Sequence, residues 1–366
     1  MNNHVTVLEI EGNAITHNLN HFKQKLHPET KILAVVKACG YGSDGVQVAS
    51  FLQDKVDYFA VAYGHEGVAL RQADIKTPIL VLHPQIQNID LIVQYQLEPS
   101  LYNFNILNAF LSFTKKQSLK EYPIHLKFNT GLNRLGFYNN DVPKVMSSLE
   151  ESKYHKIVSI LSHLAASEDA NERDFTLTQL NNFNSIVKEV NTYLEYKPLI
   201  HTLNTSGVIN YPEAQFDMVR IGIGLYGFGN NKEETSKLKN SHVLKSVISQ
   251  IHTIKKGETV GYNRAFKAKK LTKTATIPIG HADGISRKLG NNKGYVTIHD
   301  KKAWIIGNVC MDMIMVDISS INCDEGDEVF IFKNQEDILF MASITNTISY
   351  EILTMISQRI KRFLRF

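Results

Sequence analysis

The sequence predicts an α/β protein: a (β/α)8 TIM-like barrel over residues 8–229, followed by a mainly-β domain over residues 238–366. Three observations carry this. Short apolar runs alternate with amphipathic stretches from residue 17 to about 227, the pattern of parallel strands joined by helices. A polar segment at 230–237 interrupts the alternation and reads as a linker. Beyond it the runs become short and strand-like, and turn signals separate them: Lys256-Gly257, Asn291 to Gly294, and Glu325 to Asp327.

In chain order, the candidate barrel strands are 32–38, 58–62, 79–83, 98–102, 124–129, 158–163, 199–204 and 218–225. Helical patterns at 66–73, 86–94, 106–113, 142–149 and 175–192 lie between them. Eight strands spaced by helices favour a closed barrel over an open sheet. In the second domain the strand candidates are 243–254, 275–279, 295–299, 303–306, 313–318 and 328–332, and a helical tail at 350–360 closes the chain. No repeat of solenoid period is present.

The totals limit the function classes. The chain has 366 residues, 43% hydrophobic and 21% charged, ample for the core of a globular enzyme. A net charge of +4, evenly scattered, does not point to nucleic acid. No apolar run approaches the roughly 18 residues of a membrane span, and the first residues lack the charged and apolar regions of a secretory signal. Three cysteines, Cys39, Cys310 and Cys323, cannot all pair and show no metal spacing. The expected setting is reducing and cytoplasmic, with no metal, no nucleic acid and no membrane.

The chemistry-bearing residues gather at predicted strand ends. Lys37 stands where the apolar run 32–36 stops, and Gly40-Tyr41-Gly42 follows. At the C-terminal mouth of a barrel such a lysine points into the active face, although a lysine after one strand also fits a side chain that only reaches solvent. Arg220, Gly222, Ile223 and Gly224 end the eighth strand, and Asn204 with Thr205 ends the seventh. Loops after these two strands often bind phosphate, with glycines allowing close backbone approach. Lys127 and Arg134 end the fifth strand, where an arginine suits bidentate binding of a carboxylate. His163 ends the sixth. A strand-end lysine with a phosphate cradle suggests a phosphorylated carbonyl cofactor, and pyridoxal phosphate fits. An aldolase-type enzyme uses the same parts, so the residues alone leave both open.

The ordered set of motifs resembles the alanine racemase family over nearly the whole chain. It comprises Ala34 to Gly42, Lys127 to Arg134, Asn204-Thr205, Arg220 to Ile223, Gly261-Tyr262, Ile277 to Gly284, Cys310 to Asp312 and Ile348 to Glu351. The resemblance implies a homodimer with shared active sites, in which each β domain serves the partner's barrel. Lys37 would be the cofactor lysine and one catalytic base, and Tyr262 from the partner subunit the other. Arg220 would bond the pyridine nitrogen. Tyr41, Asn204, Thr205, Gly222, Ile223 and Tyr350 would hold the cofactor, chiefly its phosphate. His163 would contact the cofactor beside Tyr262. Arg134 and the backbone of Met311 would grip the substrate carboxylate, a carbamylated Lys127 would orient Arg134, and Asp312 would line the site. An arginine at the ring nitrogen gives up no proton readily, which weakens the ring as an electron sink and limits transamination.

The chain departs from the family pattern at a few places. His281 stands in place of the usual tyrosine and Asn308 in place of arginine, both expected at the substrate entrance. Asn129 and Asn133 replace the commoner Asp and Gly, and Ser43-Asp44 adds a residue before Gly45. The expected activity is interconversion of L- and D-alanine, supplying D-alanine for peptidoglycan. Rival readings are a racemase of serine or another amino acid, a barrel-type decarboxylase using the same cofactor, and a non-catalytic pyridoxal phosphate carrier.

Overall fold

The computed structural model describes residues 5–150 and 154–366. Residues 1–4, part of the stretch read above for a signal, lie outside the described residues. Strand β1 (Val7–Glu11) opens the chain and helix Gly12–Lys23 follows. Eight parallel strands then form the barrel wall. They are β2 (Lys31–Val35), β3 (Tyr58–Val61), β4 (Ile79–Val81), β5 (Glu98–Leu101), β6 (Tyr122–Lys127), β7 (His155–Leu161), β8 (Leu199–His201) and β9 (Met218–Ile221). Neighbours pair in the order β8-β7-β6-β5-β4-β3-β2-β9. The ring closes where Asp217 N–H donates to Ile200 O at 3.1 Å and Arg220 N–H to Leu203 O at 3.0 Å. All eight predicted strands are present. Most are shorter than the apolar runs suggested, because those runs continue into the loops above the barrel.

The first of these differences matters for function. The run 32–38 stays a strand only to Val35. Ala38, Cys39, Gly40 and Tyr41 then take left-handed backbone angles, with φ of 52°, 52°, 64° and 55°. For non-glycine residues this conformation costs about 1–2 kcal/mol each, so the turn persists only with outside support. Glu66 accepts from Ala38 N–H at 2.7 Å, and Gly42 N–H donates to Ala38 O at 3.0 Å. At Gly42 (φ 84°) a Cβ would lie 2.0 Å from Leu353 O, so only glycine fits against the C-terminal segment.

The second unit is built on a nine-stranded sheet. Its strands are β10 (His242–Val247), β11 (Gln250–Ile254), β14 (Thr272–Ile277), β15 (Tyr295–Ile298), β16 (Lys301–Ile306), β17 (Ile314–Asp317), β18 (Glu328–Phe332) and β19 (Lys361–Arg365), with β1 among them. A two-stranded ribbon, β12 (Thr259–Val260) and β13 (Phe266–Lys267), stands apart. The run 243–254 is two strands, β10 and β11, and two further differences involve the chain's ends. β1, within the segment assigned to the barrel, pairs antiparallel with β10 and parallel with β19. The helical tail is a short helix, Ser349–Thr354, followed by β19. Both differences come from pairing between the chain's two ends, which local pattern does not reveal.

Arg362 on β19 ties this unit to the barrel. It is 8% exposed and donates from Nε to Gly42 O at 2.8 Å. Its Nη1 and Nη2 groups donate to the carbonyls of Ser357, Ile360 and Ile356 at 3.0, 2.6 and 2.8 Å. Asn18 and Gln335 bridge the two units in the same way, each through backbone groups. No helix among the described residues is long and apolar enough to cross a membrane. Replacing Arg362→Met leaves buried carbonyls without donors. It should lower unfolding free energy by about 3 kcal/mol in urea titrations, and an unchanged midpoint would contradict the bracing role.

Candidate active site

A cavity of about 460 Å³ opens at the C-terminal mouth of the barrel. Lys37, Tyr41, Lys127, Arg134, His163, Asn204, Thr205, Arg220, Gly222, Ile223 and Tyr350 all line it. Its size suits a small cofactor with substrate. Four of these residues are cationic, and among the described residues no Asp or Glu lines the wall. Burial disfavours the charged forms of three of them, Lys37, Lys127 and Arg220. Lys37 has its ammonium pKa lowered, first by burial and then by Arg134 and Arg220. Lys127 is 6% exposed and pushed down to about 8 by burial, with Arg220, Arg134 and Lys37 adding to it. His163 falls well below its ordinary value for the same reasons, burial first, and stays neutral.

Arg220 is 4% exposed and has no carboxylate partner. Its Nη2 donates to Ser162 O at 2.8 Å, Thr202 O at 2.7 Å and His163 Nδ1 at 3.0 Å. Its Nη1 donates to His201 Nδ1 at 2.6 Å. No group among the described residues accepts from its Nε–H, so a donor on the cavity wall remains for a ligand.

At the loops after β8 and β9 the donors are hydroxyls. Thr205 Oγ1 accepts from the N–H of Gly222 at 3.1 Å and of Gly224 at 3.4 Å, which leaves its own proton to donate. Burial raises the pKa of Tyr41 well above its usual range and that of Tyr350 to about 12, so both remain donors. A Cβ at Gly222 would sit 2.3 Å from the Tyr41 hydroxyl oxygen, so the two must be read as one cradle. Asn204 is instead committed to the fold, its Oδ1 accepting from Gly207 N–H and the Ser167 hydroxyl. Hydroxyl donors, close-approach glycine, an unused arginine N–H and an amine with lowered pKa fit pyridoxal phosphate.

Four expected residues lie elsewhere. Tyr262, Met311 and Asp312 line a separate groove of about 360 Å³ on the β domain. Tyr262 is 72% exposed and Met311 58% exposed. His281 is exposed on the adjoining turn, where its N–H donates to Cys310 O at 2.9 Å. Asn308 donates to Tyr262 O at 3.2 Å and so braces that turn. Arg359, which the sequence did not single out, bridges Asp283 and Asp312 at 2.6 Å each.

Most of the chain matches models of known families: residues 10–229 match the alanine racemase N-terminal domain, and residues 242–364 the alanine racemase C-terminal domain. The chain belongs to the alanine racemase family. An alanine racemase of Treponema denticola is 34% identical over 363 residues, covering 95% of each chain. A solved alanine racemase of Clostridium difficile superposes with a TM-score of 0.94 at 29% identity, covering 100% of this chain and 97% of that one. One from Bartonella henselae, solved with covalently bound pyridoxal phosphate, gives 0.88 at 28% identity over 99% of this chain and all of that one.

Set within the family pattern, the two asparagines of the Lys127–Arg134 loop have a physical role. Asn133 sits at φ 55°, a left-handed angle that asparagine tolerates where most residues do not. Asn129 Oδ1 accepts from the N–H groups of Gly131 and Asn133, and its Nδ2 donates to Asn133 Oδ1. The loop carrying Arg134 is therefore pinned by amides rather than by a carboxylate.

The lowered pKa of Lys127 sets a pH dependence. Below about 8 the folded and unfolded chains both hold the proton, and the cost of burying the ammonium is felt in full. Between about 8 and the ordinary 10.5 the unfolded chain binds more protons, so stability rises with pH. In bicarbonate-free buffer, urea unfolding of the cofactor-free protein should gain up to about 3 kcal/mol over that window relative to Lys127→Met. Parallel curves would contradict the lowered pKa.

Proposed function

We propose that the protein is a pyridoxal phosphate-dependent racemase that interconverts L- and D-alanine in the cytoplasm and supplies D-alanine for peptidoglycan. The observation that carries this is Lys37. Its amine has a lowered pKa and shares one cavity with a hydroxyl cradle and an arginine with a spare N–H. The full-length family match supports the same reaction. Pyridoxal phosphate, when bound, supplies a carbonyl that condenses with amines and a ring that holds the electron pair left at Cα.

The chain's own residues then divide the work. Thr205, Tyr41 and Tyr350 would bind the phosphate, with Gly222 and Ile223 allowing close backbone approach; the Gly222 N–H is itself held by Thr205 Oγ1. Arg220 donates to the ring nitrogen and, being a reluctant proton source, keeps that nitrogen unprotonated. Lys37 Nζ takes or returns the Cα proton on one side of the substrate. Tyr262 Oη does so on the other, helped by His163, whose Nδ1 accepts from Arg220, so that the neutral ring carries its proton on Nε2 and can donate to the tyrosine oxygen. Arg134 and the Met311 backbone hold the substrate carboxylate. A carbamate on Lys127 would turn a cation beside Arg134 into its partner, and the lowered pKa supplies the free amine that this modification needs.

Tyr262 and Met311 do not line the Lys37 cavity of their own chain. We assign them to the cavity of a second copy, in a homodimer with shared sites. Asp312 and His281 would line the entrance of that shared site, with His281 bearing on which side chains are admitted.

Lys37→Ala and Tyr262→Phe should each lower alanine racemisation by about a hundred- to ten-thousandfold. A hybrid dimer of the two variants, isolated through different tags, holds one site with both native bases and should regain half the wild-type rate. A verified hybrid as inactive as its parents would contradict the shared site.

A further inference from the structure

Behind Arg220 runs a buried chain of polar side chains that the roles above do not use. It crosses five successive strands of the barrel. His201 on β8 accepts from Arg220 Nη1 through Nδ1 at 2.6 Å, and its Nε2 lies 3.0 Å from Ser159 Oγ on β7. Ser159 Oγ is 2.6 Å from His125 Nδ1 on β6, and His125 Nε2 is 2.8 Å from Glu98 Oε2 on β5. His125, Ser159 and His201 are fully buried and Glu98 nearly so.

The two ends fix every proton between them. A guanidinium only donates and a carboxylate only accepts. His201 must therefore accept at Nδ1 and donate from Nε2 to Ser159. The Ser159 hydroxyl then donates to His125 Nδ1, and His125 donates from Nε2 to Glu98. His201 is neutral in this arrangement. For His201, burial first and then Arg220 hold the pKa well below its ordinary value, in agreement. Tyr58, from β3, also hydrogen-bonds Glu98 and stands edge-on to His125.

We propose that Glu98 is a positioning residue for Arg220, acting through His125, Ser159 and His201 to fix the guanidinium where it meets the cofactor ring. This rests on the reading of Arg220 as the partner of the ring nitrogen. Each donated proton makes the next acceptor stronger. The Glu98 charge thus strengthens His201 Nδ1 as the acceptor that anchors Arg220. Among the described residues no acid lines the cavity itself, and Glu98 is the carboxylate that this chain of hydrogen bonds joins to it. A chain that merely satisfied core polar groups would affect stability and leave Arg220 unchanged.

Two substitutions separate these cases. Ser159→Ala cuts the middle link and keeps both charges. Glu98→Gln keeps an acceptor beside His125 and removes the charge. In ¹⁵N NMR of histidine-labelled holoprotein, wild type should show His201 neutral with its proton on Nε2. Both variants should shift the His201 nitrogens. The second readout is pyruvate formed per alanine racemised. Pyruvate appears when the proton lost from Cα goes to the cofactor carbon instead: Cα is oxidised to a ketone with oxygen from water, and the cofactor carbonyl is reduced to an amine. A loosened Arg220 should raise that ratio about 2- to 30-fold in both variants. An unchanged ratio in the folded variants overturns the positioning role whatever the spectra show, and His201 nitrogens unmoved by Glu98→Gln overturn the relay. If Glu98→Gln does not fold, Ser159→Ala decides by the same two readouts. Wild-type protein that racemises no amino acid would defeat the function reading instead, while the His201 shifts would still decide the relay.

Discussion

Four cationic side chains share one cavity that no carboxylate among the described residues lines, and much of the site follows from that constraint. Buried like charges disfavour each other's protonated forms. The two lysines meet this by lowered pKa values. Arg220 is lowered as well, to about 9, by burial first and then Arg134, and it is surrounded by carbonyl oxygens and imidazole nitrogens. The cavity is thus suited to an anionic ligand, and its two lysines hold their protons less tightly than usual. The same constraint gives Lys127 a reason to be modified, since an anion there would relieve the repulsion on Arg134.

The second requirement is a backbone held in an unfavourable conformation. The left-handed run after Lys37 places Tyr41 against Gly222 and brings Gly42 onto the C-terminal segment. Arg362 on β19 accounts for its support, because it reaches the Gly42 carbonyl from the far end of the sequence. Tyr350, in the same region of the chain, lines the cavity. The β domain therefore contributes to its own barrel's cavity, while its Tyr262 face is turned to solvent.

The sequence made the barrel legible because buried parallel strands read as apolar runs, and Lys37, Arg220 and the Gly222 turn stand where those runs stop. The match of ordered motifs named the remaining site residues. What stayed hidden depends on pairing across the chain. Nothing local in Val7–Glu11 or Lys361–Arg365 tells that the two strands lie side by side. Likewise Glu98, His125, Ser159 and His201 each look like one polar residue in a strand, and only barrel closure strings them together. Asn129 and Asn133 looked like departures from a motif, whereas their amide bonds show how the loop is held without the usual acid.

The central claim is that protons are exchanged on both sides of one alanine Cα. Its most direct test is the loss of label from L-alanine and from D-alanine, each carrying deuterium at Cα, incubated separately with the holoenzyme. The account predicts that both antipodes lose deuterium and that each yields its mirror image. Exchange confined to one antipode, or loss of label without inversion, would contradict it.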